Sequence, residues 1–295
     1  MLRWREAHGI TLYSFQSPEV AMNILRRSLI VGGLLLAQAG WLAAQQASPI
    51  TQPALTPAEM EAFLLNATIT RTRDVGVGVT GTTRVTLSDG RITHDAHVQS
   101  VDQYKVFFQA GTASEVNFKD SYRYNIAGYR LAQLIGLDSV PMSVEREIDG
   151  KKAAVTWWLD DVMDETDRLE KKTVGPDALR FSRQLQVMKI WDELIQNRDR
   201  NRGNILWTSD FKLWLIDHTR AFRLEKRLVL PNELVLCERG LLDGLRRLTA
   251  DSLAEAVGPF LTQPEQEAVM ARRDLLVRHF EERIAKLGDG ILFSL

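Results

Sequence analysis

Between Trp191 and Phe222 the chain reads WDELIQNRDRNRGNILWTSDFKLWLIDHTRAF. The end of a helix delivers a charged loop carrying Asp199, Arg200 and Asn204. A short apolar strand (Ile205 to Trp207), a turn (Thr208 to Asp210) and a second apolar strand (Leu213 to Ile216) follow, and the second strand ends directly on Asp217. A hairpin of this kind gathers at one end the acid and amide before its first strand and the acid after its second. Two carboxylates and an amide oxygen suit a hard divalent cation. Mg²⁺ (or Mn²⁺) commonly sits between such ligands and the phosphates of a substrate.

This segment resembles the catalytic and metal-binding stretches of the protein-kinase-like superfamily. Asp199 and Asn204 have the spacing of the kinase catalytic loop, and Asp217 falls where the metal-binding aspartate follows. The wording is closest to the phosphatidylinositol 3-/4-kinase-like branch, above all the type II phosphatidylinositol 4-kinases, and more distantly to HipA-like and secreted kinases. There the loop reads N-x-D-R-x-x-x-N and the metal segment I-D-x-x-x-A-F. Here these are Asn197, Asp199, Arg200 and Asn204, then Ile216, Asp217, Ala221 and Phe222, and Asp192 in the preceding helix also fits. The match departs at His218 and Thr219, where Phe-Gly or Asn-Gly is usual. The resemblance implies an α+β, two-lobed fold with an antiparallel, β-rich N-lobe plus one helix and a mainly helical C-lobe. It also implies ATP as co-substrate. Asp199 would accept or orient the proton of an acceptor hydroxyl, and Arg200 would neutralise a phosphate or the aspartate. Asn204 and Asp217 would hold Mg²⁺.

Upstream, Ile69 to Val101 reads as β-structure. Gly76, Gly78 and Gly81 spell G-x-G-x-x-G, but the β-branched run Thr83-Arg84-Val85-Thr86-Leu87 follows. A dinucleotide fingerprint must open a helix, so that reading fails, and a glycine-rich hairpin over nucleotide phosphates or a plain turn is left. Asp89-Gly90 marks the next hairpin. His94 and His97 are three apart on a strand, face opposite ways and are read as structural or surface residues. Kinases carry a lysine on the following strand and a glutamate on the next helix. By the resemblance Gln99 and Asn125 stand at those places, and Lys119 is the substitute cation considered for the nucleotide phosphates. Asp120 or Ser121 is expected to cap a helix running to Ile135, with Gly136 as its stop.

Val140 to Ile148, the turn Asp149-Gly150 and Ala153 to Leu159 predict a further hairpin. Its exit, Trp157-Trp158-Leu159, occupies the place of a kinase hinge, where backbone amides would read an adenine edge; core tryptophans are the plain alternative. Asp177 to Gln196 predicts the buried helix of a second lobe, and Thr262 to Glu265 a capping box before a long helix to about Lys286.

The N-terminus reads as an export signal displaced from the first residue. Asn-Ile-Leu-Arg-Arg follows Met22, then the apolar run Leu29 to Ala44 and small residues to Ala47. Translation is therefore expected to start at Met22, with 1–21 upstream of it, a signal peptide or anchor at 22–47, and a periplasmic or secreted product. A linker and short helix at 48–66, an N-lobe at 67–160 and a C-lobe at 161–295 complete the expected organisation, and only an uncleaved N-terminal segment would touch a membrane.

The whole chain has 295 residues, 45% hydrophobic and 25% charged, with a net charge of -1. Near-neutrality argues against a nucleic-acid binder. The lone Cys237 is read as a buried free thiol. Three functional readings follow: an atypical kinase with an unidentified hydroxyl acceptor (lipid, sugar or protein), an exported pseudokinase serving as a nucleotide-binding or interaction module, and an unrelated metal-dependent phosphotransfer or hydrolytic enzyme.

Overall fold

The computed structural model describes residues 55–74, 82–110 and 113–295, all within the compact unit Pro53–Leu295. Gly76, Gly78 and Gly81 lie outside the described residues, as does the segment 22–47 read as an export signal. Among the described residues no helix is long and apolar enough to cross a membrane.

Helix α1 (Pro57–Asn66) starts as its sequence dictates: Thr56 and Glu59 form a reciprocal capping box and Pro57 occupies the first turn. Strands β1 (Thr68–Asp74), β2 (Thr83–Ser88) and β3 (Thr93–Gln99) then run antiparallel, a long hairpin of β4 (Asp102–Ala110) and β5 (Ala113–Ser121) stands apart, and helix α2 (Arg123–Ile135) follows. The pair β6 (Ser143–Ile148) and β7 (Lys151–Trp157) completes a five-stranded sheet of order β1-β2-β3-β7-β6. Its turn is Asp149-Gly150, with φ of 51° and 74°. Positive φ at both central residues gives the twist that a two-residue hairpin needs. One face of the sheet (Val85, Leu87, Ala96, Val144, Val155) closes over Phe63 and Leu64 of α1, forming the first core.

The second core is larger and helical. Strand β8 (Val162–Asp164) leads into α3 (Glu165–Glu170) and the long α4 (Ala178–Ile195). The hairpin β9 (Ile205–Thr208) and β10 (Leu213–Leu215) joins β8 in a three-stranded sheet. Strand β11 (Cys237–Glu238), helices α5 (Arg239–Arg247), α6 (Ala250–Val257) and α7 (Gln263–Leu287), and strand β12 (Leu292–Phe293) complete the chain, with β11 and β12 paired in parallel. Trp191 of α4 and Trp207 of β9 are fully buried here. Cys237 is buried as expected, and burial pushes its thiol pKa up to about 12.

Helix α2 bridges the two cores. Its residues Ile126, Leu131 and Ile135 belong to the helical core, and it packs on α5 and α6. Gly244 of α5 permits this contact: a Cβ there would lie 2.0 Å from the Ile135 carbonyl oxygen. The start of α2 corrects one expectation. Asp120 and Ser121 end β5, and Tyr122 holds the N-cap position with no side-chain bond to the helix, although Ser121 Oγ still accepts the N–H of Arg123, the first helical residue, at 3.4 Å. The pairing of β5 with β4 claims both residues first, as Asp102 is opposite Ser121 and Gln103 opposite Asp120. The helix does stop at Gly136, left-handed at φ 74°.

Candidate active site

The end of α4 sets the first part of the site. Gln196 caps it in the left-handed conformation, and Asn197 Oδ1 accepts from the Asp199 backbone N–H at 3.1 Å, turning the chain out of the helix. Arg200 is then taken up by the chain itself. Its guanidinium donates to both oxygens of Asp192 (2.9–3.2 Å), to the Asn204 carbonyl at 3.0 Å and to the Ile216 carbonyl at 2.7 Å. A planar fork with five donors fits this set of acceptors, which explains the correction: Arg200 ties the loop to the hairpin. Burial raises the pKa of Asp192, with Arg200 opposing the shift.

The hairpin brings Asn204 and Asp217 to one end as the spacing predicts. Leu215 pairs with Ile205, and the Ile216 N–H donates to the Asn204 carbonyl at 3.2 Å. At Asp217 the backbone turns left-handed, φ 52°, a conformation that costs an L-residue about 1–2 kcal/mol and that aspartate tolerates better than most. The strand ends there and His218 swings into the core. Asp217 Oδ1 accepts from the Thr219 hydroxyl at 2.9 Å.

Two further acids share this place. The Ser121 N–H donates to the Thr219 carbonyl at 2.9 Å, which lays the end of β5 along the loop after Asp217. Asp120 thereby joins the site, a residue that sequence reasoning assigned to a helix cap. Burial raises its carboxyl pKa, a hydrogen bond with Thr219 opposes this, and the charges of Asp217 and Asp199 raise it further. Its Oδ1 is buried with no hydrogen-bond partner. Asp199 in turn meets Arg220 at 3.1 Å. Asp120, with an orphaned oxygen and the charges of Asp217 and Asp199 near it, is a donor that a divalent cation would satisfy. Among the described residues no three His, Cys, Asp or Glu side chains form a ready cage. Mg²⁺ commonly takes one or two carboxylates and leaves its other positions to water and substrate phosphates, so the set of Asp217, Asp120 and Asn204 fits.

The departures at Gln99 and Asn125 prove to be one structure. Asn125 Nδ2 donates to Gln99 Oε1 at 2.9 Å, and Asn125 Oδ1 accepts the His218 backbone N–H at 2.8 Å. All three residues are buried. A neutral amide pair thus joins β3 to α2 and to the loop after Asp217. His218 completes it: Trp191 Nε1 donates to its Nε2 at 3.1 Å, and its ring rests against Gly128 of α2. Full burial drives the His218 pKa well down, so the ring is neutral.

Lys119 is engaged elsewhere. Its ammonium lies 2.5 Å from Glu265, which also accepts from Tyr124 and the capping Thr262. A carboxylate that deeply buried requires a cation, and Lys119 supplies it. His97, two residues before Gln99, shares its face of β3. Burial lowers its pKa, partly offset by the nearby Asp217 charge. The sequence reading took His97 as structural or surface; its alternation with Gln99 is the signal that could have placed it beside the site. At the expected hinge, Trp157 stacks on His94 at 3.9 Å and lies beside Phe63, and the Arg84 guanidinium covers Trp158 at 4.0 Å. The Trp157 N–H donates to the Met142 carbonyl, and the Trp158 N–H and carbonyl bond to Asp95 and His94. Leu159, half-buried, is the hinge residue whose backbone groups make no hydrogen bond within the described structure.

No family model matches the sequence, and no curated protein is significantly similar to it. Solved structures are similar. That of hydra Fam20 with sugar gives a TM-score of 0.62 at 15% identity, covering 80% of this chain and 92% of that one. The Golgi casein kinase gives 0.58 at 14% identity over 79% and 77% of the two chains. Its Mn/ADP-bound form gives 0.58 at 14% over 80% and 78%. The chain has the two-lobed, protein-kinase-like fold.

Proposed function

We propose that this protein is an atypical kinase-like phosphotransferase that moves the γ-phosphate of ATP to a hydroxyl acceptor. The observation that carries the reading is the convergence of Asp199, Asp217 and Asp120 beside the Gln99–Asn125–His218 relay. Asp217, Asp120 and Asn204 would hold a divalent cation, Mg²⁺ or Mn²⁺, which when bound neutralises charge on the nucleotide phosphates. The Golgi casein kinase of similar fold was solved with Mn and ADP, which supports that cofactor choice. Asp199 accepts the acceptor's proton. The hydroxyl oxygen then bonds to the γ-phosphorus, the bond from that phosphorus to the β,γ-bridging oxygen breaks, and ADP leaves with the electron pair. Asp199 passes the proton to water. Gly76, Gly78 and Gly81 are assigned to the phosphate loop and Leu159, between Trp158 and Asp160, to the adenine edge. The loop wording resembles that of the phosphatidylinositol 4-kinase-like branch, and the segment 22–47 supports export.

A second reading rests on one observation, the amide pair at Gln99 and Asn125. With no lysine charge on that strand, the protein would bind nucleotide and not turn it over. Thermal shift with Mg–ATP and Mn–ATP, followed by γ-phosphate release with a panel of lipids, sugars and proteins, separates the two. Absence of any metal-dependent nucleotide shift would refute both.

A further inference from the structure

A cavity of about 620 Å³ opens beside Asp199, on the side of the segment that follows Asp217. Arg198, Arg220, Arg223 and Arg227 line it, with Glu225 the one acid among its lining residues. In a chain of net charge -1 this is a steep local concentration of positive charge. Arg220 connects it to the candidate chemistry, because the same guanidinium lies 3.1 Å from Asp199. Arg227 is partly offset by Glu225 at 3.3 Å.

The pocket is also built from beneath. Arg272 of α7, fully buried, donates to the Leu194 carbonyl at 2.8 Å, to the Arg223 carbonyl at 2.9 Å and to the Glu225 carbonyl. It therefore clamps the end of α4 to the strand of chain that carries the pocket's cations. Burial holds the Arg272 pKa down at about 10, still charged at neutral pH. Ser114 of the β4–β5 hairpin closes the other side. The volume is that of a small-molecule site.

Resting on the phosphotransferase reading above, we propose that the acceptor is a small sugar or polyol that already carries a phosphomonoester. The arginine pocket holds that group while a free hydroxyl of the same molecule faces Asp199. Guanidinium forks match phosphate oxygens in pairs, and four arginines against Glu225 and the Asp199 that meets Arg220 leave a net positive charge that suits a dianion. The transfer is the one written above, so the product is a bisphosphate, and the reaction that supplies the substrate must leave a phosphomonoester on it, whether by phosphorylation, phosphorolysis or phosphodiester cleavage. A free phosphopolyol and a phosphoinositide headgroup present the same chemistry.

The test uses the full chain, saturated with Mg–ADP so that the nucleotide phosphate site is filled, in calorimetric titrations. The probes are inositol, inositol 1-phosphate and glucose 6-phosphate, vesicles of phosphatidylcholine with and without phosphatidylinositol 4-phosphate, and an acidic serine peptide. A phosphomonoester probe should bind at least about tenfold tighter than its unphosphorylated parent. The charge reversal Arg198→Glu with Arg227→Glu, at two exposed positions, should remove that preference and leave Mg–ADP affinity unchanged. Binding by soluble probes or by phosphoinositide vesicles alone identifies the source; either supports the proposal. Equal binding of inositol and inositol 1-phosphate, an unaltered preference in the charge-reversed variant, or binding of the acidic peptide only would overturn it. Phosphomonoester binding by a wild-type protein that fails to bind Mg–ADP would leave the pocket standing and remove the kinase reading instead.

Discussion

Installing the kinase ion pair in place of the amide pair has consequences that the Asn125 hydrogen bonds dictate. Asn125 spends its oxygen on the His218 N–H and its nitrogen on Gln99. Gln99→Lys alone puts a buried ammonium against that nitrogen, and the amide cannot turn its oxygen over without abandoning His218. An unpaired buried charge costs about 3–5 kcal/mol. Asn125→Glu alone can still accept from His218, and Gln99 can rotate to donate to it, so about 1–3 kcal/mol is expected. The double variant pairs the two charges, and the cycle should show a favourable coupling of about 2–3 kcal/mol, with the lysine the costlier single change. Urea unfolding of the four proteins measures this directly. Single-turnover γ-phosphate release should rise by about ten- to a hundredfold in the double variant, because a cation then faces the transferring phosphoryl group. Additivity within about 0.5 kcal/mol, or a cheaper lysine than glutamate, would refute the reading of Gln99, Asn125 and His218 as one relay.

Other outcomes follow from single contacts. Asp217→Ala should abolish Mg-nucleotide binding by thermal shift, whereas Asp199→Ala should abolish transfer and leave binding intact; equal nucleotide affinity in Asp217→Ala and wild type sinks the metal assignment. Glu265 has burial raising its pKa, but the bonds from Lys119, Tyr124 and Thr262 outweigh it and hold the value below 4.5. Its contribution to stability is therefore present above about pH 4.5 and is lost as pH falls through the depressed folded value. Glu265→Gln should cost about 3 kcal/mol at pH 7 and shrink as pH drops, and a pH-independent difference in urea midpoints would contradict this. Gly244→Ala must force α5 off Ile135, lowering stability by about 1–3 kcal/mol, and calorimetry showing an unchanged melting temperature would deny that contact.

The fold was legible wherever a local rule settles the chain. Thr56-Pro57, Asp149-Gly150, Gly136 and Thr262 to Glu265 each set a cap or turn by short-range geometry, and each element lies where its signal put it. The hairpin from Asn204 to Asp217 was readable for the same reason, since two strands of known parity fix which ends meet. What was not legible is tertiary choice. Asp120 reads as a cap until β4 is seen to claim it. Arg200 reads as a phosphate ligand until Asp192, one turn back in α4, is seen to take its guanidinium. Lys119 reads as a free cation because Glu265 lies far along the chain. Each miss concerns a polar side chain with several partners in reach, and no local rule ranks those partners.

Charge in this site is unevenly placed. Strand β3 offers a neutral face toward the Asp217 loop, Gln99 being bonded to Asn125 and the lowered pKa leaving His97 uncharged at neutral pH. The opposite flank, from Arg220 to Arg227, carries the cations. A lysine on β3 would act on the donor's phosphates, whereas cations after Asp217 act on whatever approaches Asp199. If the acceptor brings its own dianion, the arginines gain a further partner in the ternary complex, and Arg220 is then drawn from Asp199 toward the new anion. Releasing Asp199 from its 3.1 Å partner would leave its carboxylate open to the acceptor's hydroxyl once the acceptor is seated. Nucleotide bound alone would meet a carboxylate held by Arg220, which disfavours transfer to water. The physical consequence is a low basal rate of ATP hydrolysis that rises when a phosphomonoester acceptor is added, and Arg220→Gln should raise the basal rate while lowering the acceptor-dependent one. A basal rate that Arg220→Gln leaves unchanged would break this link between the pocket and the base.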